Sequence, residues 1–308
     1  MSTKNKLKID FAAEIDFSQI LTNPILDIAA RVWDKERYDA FKICYRSMRV
    51  IDDLVDNQKA EGPLTDAERE MIKNSINSWL NSFTNKKPID QFQEDLLSTI
   101  DKFNIPFTPW VRMGRAMIYD LYHNGFSSLL SFLRYSEGAA IAPASIFTHL
   151  CGVTKIGKKY QTPQYDIRAS ARYLALFSYL VHIIRDFQKD RKNGLNYFAD
   201  FYLQKYNITD NDLDNVASET RVPDNFRQMI AKYFSITEYY RIKARNKINQ
   251  LSPIIDNRYL LSLELVYNLY LQIFNKIDPV KGKFTSKELN PTESETQSRI
   301  NLIINSFQ

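Results

Sequence analysis

Apolar residues recur every three or four positions along most of this chain, a spacing that places them on one face of an α-helix. Local signals support two of the helix starts: Thr65 with Glu68 forms a capping box, and Pro109 suits a first turn. The predicted helices cover residues 24–33, 34–57, 65–85, 89–103, 109–124, 126–152, 165–192, 195–206, 209–218, 223–250 and 253–276. Predicted loops occupy the polar stretches 57–63, 86–88 and 154–164.

The strength of the apolar pattern changes along the chain. Segment 165–192 is apolar on most sides up to its charged end, and such a helix is usually central in its protein. Residues 278–299 are polar, and we expect a partly mobile tail there that ends in a short helix, NLIINSF. The pattern predicts an all-α fold, with one domain over 1–308, its core at about 24–276 and a polar tail over 278–308.

Composition excludes several classes of protein. The chain has 308 residues, of which 44% are hydrophobic, so it can bury a sizeable core. It contains 8 glycines and no glycine-rich phosphate loop, so the sequence excludes nucleotide sites built on the dinucleotide fingerprint or the P-loop. The net charge is +5, but basic and acidic residues are interspersed, so we expect no nucleic-acid partner. The basicity indicates either solubility alone or attraction to an anionic substrate or membrane surface.

Cys44 and Cys151 lie in apolar, helix-like segments and are predicted to be buried free thiols in a reducing compartment. Neither the cysteines nor the histidines have the spacing of a zinc site. The N-terminal sequence MSTKNKLKIDF lacks the apolar core of a signal peptide, and no run of about 18 apolar residues predicts a membrane span. We therefore expect a cytoplasmic protein.

Two pairs of aspartates, each one helical turn apart, stand in otherwise apolar segments. The first helix face comprises Tyr45, Arg49, Asp52, Asp53 and Asp56. The second comprises Tyr179, His182, Asp186, Asp190 and, if the helix continues that far, Tyr197. Like charges at this spacing cost a helix about 0.2–0.5 kcal/mol. A mostly apolar helix that carries them therefore needs a compensating cation.

Magnesium with an anionic substrate could supply that compensation. Mg²⁺ prefers oxygen ligands, and one or two carboxylates plus substrate phosphate oxygens complete its shell. Metal ions between the two aspartate pairs could clamp a diphosphate, with Arg49 and Arg185 as candidates to neutralise its remaining charge. The alternative is a buried ion-pair network without a ligand. The same spacing also occurs in Asp210 and Asp214, which we interpret as a solvated helix start.

These segments resemble two aspartate-rich motifs of the squalene/phytoene synthase family, the head-to-head prenyl synthases. YRSMRVIDDLVD is similar to the first motif, and LVHIIRDFQKD followed by GLNYF is similar to the second. MIYDL (117–121) and YSEGAAIAP (135–143) resemble the intervening blocks, and the likeness spans about residues 24–275. The resemblance implies an isoprenoid-synthase helical bundle around a deep central cavity.

Carried over position by position, the resemblance implies a role for each site residue. The magnesium ligands would be Asp52, Asp56, Asp186 and Asp190. Asp53 would support them, while Tyr45 and Arg49 would face the diphosphate. Tyr135 would lie near the reacting prenyl carbons, and Tyr197 near the second diphosphate.

The chain departs from the family pattern at four places. His182 stands where the family has an Asn that is commonly a metal ligand, Tyr179 replaces a Gln, and Lys189 replaces a Glu. Ile25 and Leu26 replace a Ser-Phe pair. Imidazole is a poorer magnesium ligand than an amide or carboxylate oxygen. His182 could instead bond to diphosphate, act as a base, or be a core histidine bonded to a backbone carbonyl.

The implied reaction needs two or three Mg²⁺ ions and two molecules of farnesyl or geranylgeranyl diphosphate. One prenyl chain would lose diphosphate inside a cavity that excludes water, with the Tyr135 and Tyr179 rings stabilising its cation. NADPH would be needed for reduction to squalene, although no motif supports its binding. The alternatives are prenyl transfer to another acceptor, such as an aromatic ring, and a non-catalytic assembly factor. The apolar product makes peripheral membrane contact plausible, with helix 223–250 as the best candidate.

Overall fold

The computed structural model describes residues 15–60 and 62–307, and helices dominate the regular structure of that part of the chain. A 3-10 helix, Phe17–Ile20, precedes the first α-helix. The α-helices are α1 (Ile25–Ala30), α2 (Lys35–Ala60), α3 (Asp66–Thr84), α4 (Gln91–Phe103), α5 (Thr108–Tyr122), α6 (Leu129–Ala139), α7 (Ile141–Gly152), α8 (Ile167–Arg185), α9 (Phe187–Lys192), α10 (Asp200–Lys205), α11 (Asp210–Ala217), α12 (Asp224–Leu251), α13 (Asn257–Phe274), α14 (Ser286–Leu289) and α15 (Glu293–Phe307). The prediction of an all-α fold is confirmed. The sequence MSTKNKLKIDF, and Glu61 in a predicted loop, lie outside the described residues.

Local sequence signals set several helix ends as predicted. The Thr65 hydroxyl accepts a hydrogen bond from the Glu68 amide at 3.3 Å, and Glu68 Oε2 accepts one from the Thr65 amide at 2.7 Å. Pro109 lies in the first turn of α5, where its missing N–H costs nothing. Helix α2 continues to Ala60, so the predicted loop after it begins later than residue 57.

Two predicted helices are each divided in the structure, so their prediction as continuous helices was wrong. Segment 126–152 contains α6 and α7, which meet at Ala140. Segment 165–192 contains α8 and α9, which meet at Asp186, where ψ is −1°. Side chains of adjacent residues on a regular helix point about 100° apart. The break therefore allows Arg185 to bond its neighbour Asp186, as described below.

The loop predicted over 154–164 contains a β-hairpin, so that prediction was also wrong. Strand β1 (Thr154–Ile156) pairs with β2 (Lys159–Gln161) across a turn in which Gly157 has a φ of +61°. The buried Tyr160 explains why this polar segment is ordered, since its ring packs on Phe103 at 4.2 Å between centroids. The helix predicted over 195–206 is likewise shorter, and only α10 forms there.

Helices α7 and α8 form the centre of the protein. Helix α7 is buried at nearly every position, and α2, α5, α6, α8 and α13 pack around it. Helix α8 packs against α7, α12 and α13, in agreement with the central place predicted for its sequence. Helices α2 and α8, which carry the two aspartate motifs, thus both pack on α7.

Gly138 allows α6 to approach α5 closely. A Cβ atom at this position would lie 2.2 Å from the backbone oxygen of Arg112 and 2.5 Å from the Ala116 side chain. Real contacts of that length do not occur, so a larger residue would force the two helices apart. This approach matters because α5 and α6 both contribute side chains to the site described below.

The polar C-terminal segment is packed onto the bundle, and the prediction of a partly mobile tail with one short helix was wrong. Helix α15 packs against α13, and Phe284, Leu289 and Ile300 are buried. An apolar stripe formed by Ile300, Ile303 and Ile304 anchors α15, although most of its other residues are polar. None of the helices in the described part of the chain has the length and apolar character needed to cross a bilayer.

Candidate active site

The first acidic pair lies on the C-terminal half of α2. The Arg49 guanidinium bonds both to Asp52 Oδ2 and to Asp53 Oδ1, and this shared guanidinium fixes the two carboxylates. Burial and then the negative charge of Asp56 raise the pKa of Asp52 to about 6, and Arg49 offsets only part of this. The region therefore holds more negative charge than its own cation compensates.

The second acidic pair spans the break between α8 and α9. Arg185 Nε donates to Asp186 Oδ1 at 2.6 Å, and Arg185 Nη2 donates to Asp186 Oδ2 at 2.8 Å. His182 Nε2 lies 3.1 Å from Asp186 Oδ2. We call His182, Arg185 and Asp186 the Asp186 clamp. Burial would raise the pKa of Asp186, but the Arg185 hydrogen bond and nearby positive charge lower it overall.

Asp190 differs from its partner Asp186. Burial, and then the charge of Asp186, raise the pKa of Asp190 to about 6, against the weaker effects of Lys189 and Arg185. In the first acidic pair, Asp52 both bonds to an arginine and has a raised pKa. In the second acidic pair, Asp186 bonds to the arginine, and Asp190 has the raised pKa.

His182 is held by side chains. Arg185 Nη2 lies 2.7 Å from His182 Nδ1, and because a guanidinium only donates, Nδ1 is the acceptor and Nε2 carries the proton. Burial and the Arg185 charge lower the pKa of His182 to about 4, so the ring is neutral. The interpretation of His182 as a core histidine bonded to a backbone carbonyl was wrong. His149 fits that description instead, with Nε2 2.9 Å from the Phe103 carbonyl oxygen.

Tyr197 connects the two acidic pairs. It lies in the loop after α9, so the helix does not continue as far as Tyr197, which was the condition for placing it on the second helix face. Burial raises the pKa of Tyr197, and the next causes are four carboxylates: Asp120, Asp190, Asp56 and Asp52. Carboxylates of α2 and of α9 therefore act on one phenol, which means that the two pairs face the same space.

Asp120 is a site residue that the sequence reasoning did not assign. It lies on α5, and its Oδ2 accepts a 2.6 Å hydrogen bond from the buried Tyr135 hydroxyl. Its charge also contributes to the raised pKa of Asp52. The available signal was its position in MIYDL, a block already noted for its resemblance, where an acidic residue interrupts an apolar helix.

Aromatic rings form a wall beside these carboxylates. Tyr179 stacks on Phe132 with centroids 5.3 Å apart, and its ring lies 6.5 Å from both Tyr135 and Tyr197. Phe126 continues the wall at 5.1 Å from Tyr135. Tyr135 and Tyr179, the residues predicted to stabilise a cation, are thus neighbours in one aromatic surface.

Two clefts flank the acidic pairs, and each is lined by some of the predicted residues. The acidic cleft has a volume of about 460 Å³ and is lined by Asp56, Asp120, Phe126, Asn193, Asn196 and Tyr197, among others. The aliphatic cleft has a volume of about 770 Å³, and its walls include Tyr45 and the Asp186 clamp. Its apolar lining consists of Leu21, Ile25, Leu26, Ile28, Leu269 and Ile273.

The carboxylates fit Mg²⁺ bound together with a substrate better than a closed protein site. Among residues 15–60 and 62–307, no group of three His, Cys, Asp or Glu side chains converges as at a preformed metal centre. Mg²⁺ is commonly held by one or two carboxylates and completed by phosphate oxygens and waters. The raised pKa values of Asp52 and Asp190 indicate negative charge that a cation would compensate.

Two competing patterns lie away from this site. Asp210 and Asp214 are largely exposed and both pair with Arg191, at 3.0 and 2.7 Å, so their prediction as a solvated helix start is confirmed. Helix α12, the candidate for membrane contact, packs its apolar face against α8.

The squalene/phytoene synthase family model matches residues 27–295. The chain belongs to the squalene/phytoene synthase family. This membership confirms the resemblance seen in the two aspartate motifs, and it makes the protein a member of a prenyltransferase family of isoprenoid biosynthesis.

Solved structures of squalene/phytoene synthase family enzymes share the fold. A dehydrosqualene synthase in complex with a ligand has a TM-score of 0.70 at 15% identity, covering 96% of each chain. The squalene synthase HpnC from Alicyclobacillus acidocaldarius has a TM-score of 0.61 at 14% identity, covering 98% of this chain and 97% of its own. TcSQS with a bound ligand has a TM-score of 0.63 at 15% identity, covering 98% and 90%. A comparison with curated protein sequences gives no significant match.

Proposed function

We propose that this protein condenses two prenyl diphosphates head-to-head, in the manner of squalene or phytoene synthases, with loss of diphosphate. The observation that carries the proposal is the environment of Tyr197, where carboxylates of both aspartate motifs act on one partly buried phenol that lines the acidic cleft with Asp56. Family membership supports the reaction class. The candidate substrates are farnesyl and geranylgeranyl diphosphate, and Tyr197 would lie beside the second of them.

The metal ligands in this proposal are Asp52, Asp56, Asp186 and Asp190. Bound Mg²⁺ would supply Lewis-acid stabilisation of the departing diphosphate. Arg49 and Arg185 already bond to these carboxylates and could turn to diphosphate oxygens, with Tyr45 beside them in the aliphatic cleft.

The aromatic wall would protect the reacting carbons. The rings of Tyr135 and Tyr179 present faces to an allylic cation and exclude the water that would quench it. Asp120 would hold the Tyr135 hydroxyl away from the cation, because that hydroxyl already donates to its carboxylate. The ring face of Tyr135 is then the part available to substrate.

Incubation with each prenyl diphosphate and Mg²⁺, with and without NADPH, tests this function. We expect Mg²⁺-dependent release of diphosphate and a linear hydrocarbon with twice the carbon number of the substrate. A more reduced hydrocarbon that forms only with NADPH would establish a reductive second step. Absence of prenyl turnover under every condition would favour the non-catalytic assembly factor instead.

The aliphatic cleft favours a second candidate, prenyl transfer to an acceptor without a diphosphate. The buried Gln272 Oε1 beside this cleft has no hydrogen-bond partner, so it suits a ligand with an O–H or N–H donor. Detection of a prenylated phenol after incubation with one prenyl diphosphate and a phenolic acceptor would support this reaction over condensation.

We propose that the protein contacts an anionic membrane surface at the lip of the acidic cleft. Leu130 and Phe201 are 57% and 54% exposed, and the Phe201 amide donates to the carbonyl oxygen of Ser127, the neighbour of Phe126, which lines this cleft. Arg134 and Lys205 follow one turn along each helix and are exposed. An apolar product would pass directly into the bilayer from this lip.

Sedimentation with vesicles tests the membrane surface. The Leu130→Ser/Phe201→Ser variant should bind vesicles containing phosphatidylserine less than the parent protein does, while Val280→Ser, at another exposed apolar residue, should not change binding. Equal binding of both variants would contradict the proposal.

Cys44 and Cys151 are buried free thiols, which supports a reducing compartment such as the cytosol.

A further inference from the structure

We propose that His182 is a positioning residue that, with Arg185, holds Asp186 in an ion pair until a diphosphate enters the site. The second acidic pair would then take its divalent cation together with the diphosphate and bind it weakly before that. The inference rests on the proposed diphosphate chemistry, but it concerns the order of binding and the role of a residue at which this chain departs from the family pattern.

His182 bonds to Arg185 and lies close to Asp186. Nδ1 accepts from Arg185 Nη2 at 2.7 Å, so the ring proton lies on Nε2, which is 3.1 Å from Asp186 Oδ2, a close electrostatic contact. A protonated ring nitrogen has no in-plane lone pair to offer a metal. In this arrangement His182 acts on the carboxylate of Asp186, and it is not itself a metal ligand.

The oxygens of Asp186 are also engaged. Arg185 bonds both of them in a fork, at 2.6 and 2.8 Å, and His182 in turn accepts a hydrogen bond from Arg185 Nη2 and so holds the guanidinium in place. A bidentate arginine–carboxylate pair is among the strongest charge-assisted hydrogen bonds. A cation that arrived alone would have to displace Arg185 and leave its guanidinium unpaired in a largely buried position, which is unfavourable.

A diphosphate removes that obstacle. Its oxygens would offer Arg185 new anionic partners, so Asp186 could turn to a metal without leaving a buried charge unpaired. Cation and diphosphate would therefore bind the second pair cooperatively.

Asp52, in the first acidic pair, is held less firmly than Asp186. Its guanidinium partner Arg49 is shared between Asp52 and Asp53. The Arg49 side chain is 47% exposed, compared with 16% for Arg185, so solvent weakens its ion pairs more. We therefore expect the first pair to bind a cation before the second does.

Titration with Mn²⁺, followed by electron paramagnetic resonance with and without inorganic pyrophosphate, tests the inference. The parent protein should bind fewer Mn²⁺ ions tightly without pyrophosphate than with it. His182→Leu removes both ring nitrogens, so its affinity for the additional Mn²⁺ without pyrophosphate should rise by about 3- to 10-fold, with a smaller gain from pyrophosphate. His182→Phe keeps a ring beside Tyr179 and should behave like His182→Leu if the latter folds poorly.

His182→Gln is the matched control, because its amide oxygen can accept from Arg185 as Nδ1 of the imidazole does. It should retain the Mn²⁺ binding of the parent protein. Weaker Mn²⁺ binding in both His182→Leu and His182→Phe would show that the imidazole is a ligand, and unchanged binding would show that the clamp has no effect; either result overturns the inference. If the expected Mn²⁺ pattern appears but no hydrocarbon forms, the condensation reaction fails and the inference stands.

Discussion

The Tyr135 hydroxyl donates a 2.6 Å hydrogen bond to Asp120 Oδ2 and so joins α6 to α5 beside the two acidic pairs. Tyr135 is buried, and burial is the largest cause of its raised pKa, followed by the charges of Tyr179 and Asp120. A phenol that stays protonated can keep donating to Asp120 over the whole physiological pH range. The bond fixes one ring of the aromatic wall at the edge of the carboxylate cluster.

Replacement of Tyr135 by Phe should destabilise the protein and reduce turnover. The ring remains, but the carboxylate of Asp120 loses a charge-assisted hydrogen bond, for which we expect a decrease of about 1–3 kcal/mol in the free energy of unfolding. Urea unfolding followed by circular dichroism measures the change. Tyr122→Phe removes a similar bond to Glu70 at the surface and should change stability by less than about 0.5 kcal/mol. Equal effects of both substitutions would show that the buried Tyr135–Asp120 bond contributes no more to stability than the surface Tyr122–Glu70 bond does.

Replacement of Asp52 by Asn should have opposite effects on activity and on stability. Loss of a metal ligand should reduce Mg²⁺-dependent turnover by about 100-fold or more. The metal-free variant should nevertheless be more stable than the parent at pH 7, because burial and the charge of Asp56 oppose ionisation of Asp52 in the folded state.

Asp214→Asn is the matched control for Asp52→Asn, since Asp214 belongs to an aspartate pair of the same spacing that is exposed on the surface. We expect little change in its turnover. An Asp52→Asn variant with full turnover would refute the assignment of this carboxylate as a ligand.

The stability of the metal-free protein should depend on pH through Asp52 and Asp190. Their pKa values are each raised to about 6, whereas an aspartate in the unfolded chain titrates near about 4. Their protonated forms therefore contribute stability that is complete below about pH 4 and is lost as the pH rises through about 6. Glu36, whose pKa is lowered to about 2, has the opposite effect on stability, because its contribution is lost as the pH falls towards that value.

Urea unfolding of the parent protein and of Asp52→Asn/Asp190→Asn, at intervals from pH 4 to 7, isolates this contribution. The difference in unfolding free energy between the two proteins should grow in favour of the variant as the pH rises. Mg²⁺ with pyrophosphate should reverse the trend for the parent protein only. A difference that is constant across this range would contradict the environments described for these carboxylates.

The C-terminal segment should contribute to stability through its apolar stripe. Ile300 is fully buried, and truncation to Ala should lower the free energy of unfolding by about 2–5 kcal/mol. Leu302 on the same helix is 62% exposed, and Leu302→Ala should have an effect below about 0.5 kcal/mol. Thermal unfolding of the two variants compares them directly. A small effect at both positions would mean that α15 is loosely attached.

Local pattern identified most helices because their signals lie within a few residues of each other. The capping box at Thr65, the proline at the start of α5 and the long apolar run of α8 all act within one or two turns. The errors arose where distant contacts decide the structure. Tyr160 orders the hairpin by packing on Phe103, and α15 folds against α13 through three isoleucines hidden in a polar segment.

The fold class and the aspartate motifs could be predicted from the chain alone, because helical periodicity and the one-turn spacing of Asp52 with Asp56 are properties of a single segment. The partners of these residues could not. The pairing of Asp120 with Tyr135 and the entry of Tyr197 from a loop depend on how helices pack around α7, and the bonds of Arg185 to Asp186 and His182 depend on the helix break at Asp186. Side-chain contacts across helices follow from packing, and packing is a property of the whole chain.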